Sequence, residues 1–241
     1  MSSESLKVEH PYLPKELKLD HYVKNSKDTI EILATLSGVA AVILVVSWYI
    51  TGFRTEPFCL KRRLTLCWFM LCGFIHTGLE GYFAIYHKTL AGHSTILGEA
   101  WKEYSRSDSR YLSSDTFVVC METITAVVDG PLAFIAFVAF MTGSNYRYAW
   151  QLLLSLFQLY GDVLYFATEF KEGFIHSPTD VPLYFYFYFI FLNSLWIIIP
   201  LLLVVDACHH IANCQQVSDF IMISTIEKVK LATSNNHQKM H

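Results

Sequence analysis

Charge is what this sequence has little of. Asp, Glu, Lys and Arg make up 16% of its 241 residues, against about 25% in an average soluble domain. Too few charges remain to solvate a globular surface. The net charge of −3 offers no basic face to a nucleic acid. Among the six cysteines (Cys59, Cys67, Cys72, Cys120, Cys208 and Cys214) there is no C-x-x-C pair. Three of them lie in apolar runs, so they are expected to be small buried hydrophobes and not a disulfide framework. A Gly-rich phosphate loop, an N-glycosylation triplet and an internal repeat are missing as well. The run "DACHHIANC" (206–214) is rich in ligand-type residues, but its spacing matches no zinc pattern, so no metal is expected.

What is present instead is apolar length. Hydrophobic residues make up 53% of the chain and the mean hydropathy is +0.35. The 22 residues from Ile32 to Phe53 and the 23 from Leu183 to Val205 contain no Asp, Glu, Lys or Arg. A bilayer core of ~30 Å is crossed by roughly 20 helical residues. The pattern predicts an all-α membrane protein, a bundle of five transmembrane helices at about 30–53, 64–86, 117–141, 148–168 and 183–205, enclosing an intramembrane ligand cavity.

Three parts are expected: a polar segment at 1–28, the membrane bundle at 29–206, and a polar tail at 207–241 that is mobile beyond about Leu231. The first segment is Lys-rich, which predicts no cleavable signal peptide. Short turn-like joints follow spans one, three and four. One connection is long: residues 87–116 carry "WKEYSRSDSRY", an aromatic and polar rhythm that predicts a short helix or cap at the interface. Lys and Arg divide ten against eight between the two faces, which leaves orientation open.

Polar side chains inside the spans are the informative exceptions. They are His76 and Glu80 in span two, Glu122 and Asp129 in span three, Asp162 in span four, and Asn193 and Trp196 in span five. Ionisable groups at membrane depth are costly and normally face a bundle interior or a wet cavity. His76 and Glu80 stand four apart, so they share a helix face. Glu122, Thr125 and Asp129, at i, i+3 and i+7, form another stripe. At a rise of ~1.5 Å per residue, Glu80 and Glu122 lie ~8–9 Å from the face holding the N-terminus, Asp162 at a similar depth, His76 and Asn193 ~15 Å deep, and Asp129 and Trp196 ~18–20 Å deep. Groups from separate spans thus stack in one half of the membrane, as around a shared cavity. Taken singly, each also has a plain structural reading. Asp162 can pair with a helix end or a Tyr hydroxyl, and "LYFYFYFIF" (183–191) reads as lipid-facing belt packing.

A carboxyl in such a cavity is pushed toward its neutral form and can donate a proton. Two carboxyls beside one histidine can hold different protonation states, and an indole face attracts a cation. The residues alone therefore describe an acid–base site for a hydrophobic ligand, with no cofactor.

The motifs are also recognisable. "HPYLPKELKLDHYV", "LCWFMLCGFIHTGLEGYF", "WKEYSRSDSRY", "VCMETITA", "QLYGDVLYF" and "FLNSLWIIIP", in this order between His10 and Asp206, resemble the EXPERA family and its sterol Δ8–Δ7 isomerase branch, the emopamil-binding proteins. The family-like region is about 61–206. The resemblance implies an endoplasmic-reticulum, multi-pass membrane enzyme of sterol (cholesterol) biosynthesis. Such an enzyme protonates a ring alkene at carbon 9, passes through a cation at carbon 8, and loses a proton from carbon 7. It implies His76, Glu80 and Glu122 as catalytic groups, with Thr125, Asn193, Trp196, Tyr104, Asp108, Arg110 and Tyr111 binding substrate. In this reading Glu122 and His76 deliver the proton, Glu80 accepts one or stabilises the cation, Trp196 faces the cation, and Asn193 and Thr125 hold the acid and base groups. Expected partners are a sterol substrate, cationic amphiphilic amines and the lipid bilayer, with a homodimer left open. Asp129 departs from the pattern: the isomerases resemble one another in an apolar residue there, while an isomerase-like branch has Asp-Gly. A non-catalytic sterol- or amine-binding protein, a receptor or trafficking factor, is therefore the alternative. A proton-linked transporter is disfavoured because no inverted repeat is visible.

Overall fold

The computed structural model describes residues 9–19, 21–53 and 57–239, with side chains up to Leu231. The start of the expected N-terminal segment, residues 1–8, lies outside the described residues. All regular structure among the described residues is helical. We number seven helices: α1 (Thr29–Gly52), α2 (Leu60–Tyr86), α3 (Ile96–Tyr104), α4 (Arg110–Ser113), α5 (Thr116–Met141), α6 (Arg147–Lys171) and α7 (183–239).

Local chemistry sets several of the starts. Asp28 accepts a hydrogen bond from the Glu31 backbone N–H at 2.8 Å, capping α1. Thr95 and Asp115 do the same for α3 and α5, at 3.2 and 3.0 Å. Each removes one of the four orphan donors a helix start leaves.

Four helices are long and apolar enough to cross a membrane: α1, α2, α5 and the apolar part of α7. The expected fourth span is a 25-residue helix, α6, but it falls outside this set. Its buried face explains why. Gln151, Ser155, Gln158, Asp162 and Glu169 are all turned inward, so the sequence of α6 looks polar although the polarity is hidden. Past Asp206 the helix continues without a break to Lys239, because nothing between Pro200 and that point interrupts it.

Within lipid, helices associate through close packing and hydrogen bonds more than through the hydrophobic effect. Helices α2 and α5 show this. A Cβ added at Gly130 would lie 2.4 Å from Thr77 Cγ2 and 3.1 Å from the Thr77 backbone N, so only glycine permits this crossing. Below it, Leu66, Phe69, Ala133, Ala136 and Leu154 form a buried apolar layer between α2, α5 and α6. Removing a side chain such as Leu154 from such a layer costs about 2–5 kcal/mol.

Two of the cysteines, Cys67 and Cys72, are buried as expected; Cys59, Cys120, Cys208 and Cys214 are exposed. Cys120 lies in an apolar run, but α5 turns it outward, as lipid allows. The aromatic run divides in the same way. Tyr184, Tyr188 and Phe189 are buried, whereas Tyr186, Phe187 and Phe191 are exposed.

The long connection forms short helices and a buried cap. Glu99, 1% exposed, accepts from the Ser26 N–H and hydroxyl at 2.8 and 2.7 Å. Burial alone would push the Glu99 carboxyl up, but the Ser26 and Lys27 donors outweigh it and hold the group below its ordinary range. Lys102 donates to the Val23 carbonyl, and Tyr12 to the carbonyl of Lys102. The polar N-terminal segment is thus strapped across the cap, which closes one end of the bundle.

Candidate active site

Beneath the cap is a cavity of about 320 Å³ whose walls come from α1, α2, α3, α4, α5, α6 and α7. Most of its wall is apolar. Its ionisable and polar groups include His76, Glu80, Glu122, Gln158 and Asp162.

The helices that deliver these groups are not regular there. Residues Ile75–Glu80 of α2, Thr125–Asp129 of α5 and Leu183–Leu192 of α7 are π-helical. The Gly81 N–H reaches the His76 carbonyl, five residues back, and Gly130 reaches Thr125 in the same way. Proline accounts for part of this pattern. Pro131 follows the α5 segment and Pro182 precedes the α7 segment, and a prolyl nitrogen cannot extend the i→i−4 ladder. Such turns recur at functional sites.

The wider turn also corrects one expectation. Asp129 was placed on one stripe with Glu122 and Thr125, but it does not line the cavity. One extra residue in the turn slips the face by ~100°. Asp129 is buried against the α2 crossing instead, with neither carboxyl oxygen partnered among the described residues.

His76 and Glu80 form the centre. His76 Nδ1 lies 2.7 Å from Glu80 Oε2. On its other side the Gln158 amide Nε2 stands 2.9 Å from His76 Nε2. An amide NH₂ only donates, so Nε2 accepts and the ring proton sits on Nδ1, pointing at Glu80. Gln158 Oε1 has no partner among the described residues. Turning the amide over would present that oxygen to a protonated Nε2, so one side chain suits both states of the ring. Sequence reading had passed over Gln158. Its signal was a polar residue four before Asp162 on the buried face of α6.

Glu122 is held by different groups. The Tyr111 hydroxyl donates to Oε1 at 2.5 Å and the Thr125 hydroxyl to Oε2 at 3.3 Å. Burial pushes the Tyr111 hydroxyl well above its ordinary value, which keeps it a donor. Asn193 does not reach the acids. Its Oδ1 accepts from the Tyr104 hydroxyl at 3.0 Å and its Nδ2 donates to the Phe189 carbonyl at 2.8 Å, which braces the start of regular α-helix in α7. Trp196 stands beside the imidazole, 6.4 Å from His76 and 5.4 Å from Trp68 between centroids.

Two expected residues lie away from the cavity lining. Asp108 and Arg110 pair at 2.7 Å with both side chains buried. Arg110 also donates to Thr168 and to the Tyr165 carbonyl. They fix the cap to the end of α6, with Tyr104 and Tyr111 of the same stretch facing the cavity. At that end Glu169, Glu172 and His176 also gather, a cluster the sequence reading did not single out.

Comparison with known proteins bears on this arrangement. Residues 96–207 match the EBP family, described as EXPERA (EXPanded EBP superfamily). The chain is similar to the 3-beta-hydroxysteroid-Delta(8),Delta(7)-isomerase of Mus musculus, with 45% identity over 222 residues, 92% of this chain and 95% of that protein. It is 44% identical to the protein of the same name from Rattus norvegicus over 211 residues, 87% of this chain and 92% of that one. With that of Cavia porcellus it shares 40% over 220 residues, 91% and 96% of the two chains.

Proposed function

The chain belongs to the EXPERA (EXPanded EBP superfamily) family, and from that premise we propose that it is a sterol Δ8–Δ7 isomerase working in the endoplasmic-reticulum membrane. Its apolar cavity takes the sterol rings, and α6 is the fifth crossing, its polar stripe hidden against the bundle. No cofactor is called for, since the shift of a double bond is redox-neutral.

The observation that carries the reading is the division of acid–base groups on one cavity. Glu122 is buried and pairs with no cation among the described residues, only with the Tyr111 and Thr125 hydroxyls. His76 is paired with a carboxylate at 2.7 Å. Environments this different separate an acid from a base. Glu122 gives its proton to carbon 9 of the C8=C9 alkene, leaving the cation at carbon 8. The C7–H electrons form the new C7=C8 bond as the Gln158 amide turns away and that proton passes to His76 Nε2, and Glu80 stabilises the imidazolium. This moves His76 from the donor side, expected from the resemblance, to the acceptor side. The proton then returns to Glu122 and the enzyme is reset. Trp196 beside His76 faces the developing positive charge.

A cationic lipophilic amine would mimic the intermediate against the same groups. Competition assays should favour a charged amine over its neutral isostere.

Expression in a yeast strain lacking its own Δ8–Δ7 isomerase tests the function. Growth rescue with accumulation of Δ7 sterols is expected. Persistent Δ8 sterol despite normal expression would favour the non-catalytic binding reading.

A further inference from the structure

Resting on the isomerase reading, we propose that Asp162 is the subsite for the substrate's 3β-hydroxyl group and sets the enzyme's preference for 3-hydroxylated sterols. Asp162 lines the cavity, is 9% exposed, and has an Oδ2 without a partner among the described residues. Neither of the structural partners expected for it, a helix end or a Tyr hydroxyl, occupies that oxygen. Buried polar atoms without partners cost free energy. A buried carboxyl on the wall of an otherwise apolar cavity suits a ligand hydroxyl, which can give it a hydrogen bond.

The spacing fits a sterol. Gln158 touches the reactive His76, and Asp162 stands one turn further along the same face of α6, ~6 Å away. In a sterol the 3-hydroxyl carbon is four bonds from carbon 9, a reach close to one helical turn of ~5.4 Å. The reacting carbons can therefore lie against His76 while the hydroxyl meets Asp162. The aliphatic side chain of the sterol then points the other way, toward the apolar wall made by Leu36, Trp68, Leu71 and Leu195. Trp196 also carries an unpartnered N–H, but it packs against His76 itself, too near the reacting bond to reach the far side of ring A.

The test uses the purified full-length chain with a Δ8 sterol bearing a 3β-hydroxyl and with its 3-deoxy analogue, read as the ratio of their kcat/KM values. The parent should favour the hydroxylated sterol by roughly 10- to 100-fold, the effect of a hydrogen bond to a charged or buried partner. Asp162→Ala should bring the ratio close to one, and Asp162→Asn, which can still pair with the hydroxyl, should keep most of it. If the alanine variant does not fold, Asp162→Leu, similar in size and easily held in an apolar wall, replaces it. An undiminished ratio in the Ala or Leu variant, or no preference in the parent, overturns the subsite. A parent without turnover defeats the isomerase reading alone. The same ratio measured as binding affinities then still decides whether Asp162 recognises the hydroxyl.

Discussion

The same three helices, α2, α6 and α7, carry two buried polar clusters, and the two are built in opposite ways. Near one end, Arg62 donates to Gln151 at 2.8 Å and to Asp206 at 3.0 Å. Gln151 donates to Asp206 and to the Leu203 carbonyl. Lys61 completes Asp206 at 2.7 Å, and the Arg62 guanidinium lies over the Phe140 ring, 4.3 Å from its centroid. Every member has a partner, and the helices there are regular. Around the cavity, His76 sits on a π-helical turn and Trp196 follows one, while Gln158, Asp162 and Trp196 keep polar atoms without partners among the described residues. Charge at membrane depth is common to both regions. What separates a knot that holds helices from a site that meets a ligand is whether the partners are already present.

Glu122→Gln is the sharpest way to split the two regions. It keeps the shape and the neighbours but removes the acid, and turnover should fall by about 10²–10⁴-fold with thermal stability little changed. Asp206→Ala should do the reverse. Stranding Arg62 in the buried knot should cost about 3–5 kcal/mol of stability, seen as a lower melting temperature in detergent, while the protein that remains folded keeps its kcat.

Gly130→Ala blurs the comparison, because it attacks the crossing behind the site. The new methyl must displace Thr77, at about 1–3 kcal/mol, and the shift is passed to His76 next to it. Activity and melting temperature should fall together. The smallest effect is expected at the cap. The hydrogen bond that His176 donates to Glu169 outweighs burial and raises the His176 pKa above its usual value. The stabilising charged pair is complete below the unfolded value of about 6.5 and is lost as pH rises through the folded value. His176→Gln should flatten that pH dependence while changing stability by less than about 1 kcal/mol, read from melting curves across pH 5 to 8.

Much of this was legible in the sequence because the physics acted locally. Ile32–Phe53 could only be an apolar helix, and the four-residue spacing of His76 and Glu80 could only put them on one face. Glu122 and its Thr125 were readable for the same reason. The rest depended on tertiary context. Pattern reading assumes 3.6 residues per turn, so the π-helical turns were invisible and Asp129 was put on the wrong face. Gln158 and Tyr111 matter through what they touch, His76 and Glu122, and no periodicity announces a contact between separate helices. Only the family resemblance put Asp108 and Arg110 among the binding residues, and in the fold they pair with each other.

The central claim is that side chains on this cavity, exchangeable with solvent, deliver the proton that moves the double bond. Purified protein in excess, equilibrated in D₂O and given an unlabelled Δ8 sterol for a single turnover, tests it by mass spectrometry and NMR of the product. The account predicts a Δ7 sterol carrying one deuterium, at carbon 9. A Δ7 product whose rings hold no deuterium would mean that the hydrogen migrates within the substrate, and would contradict it.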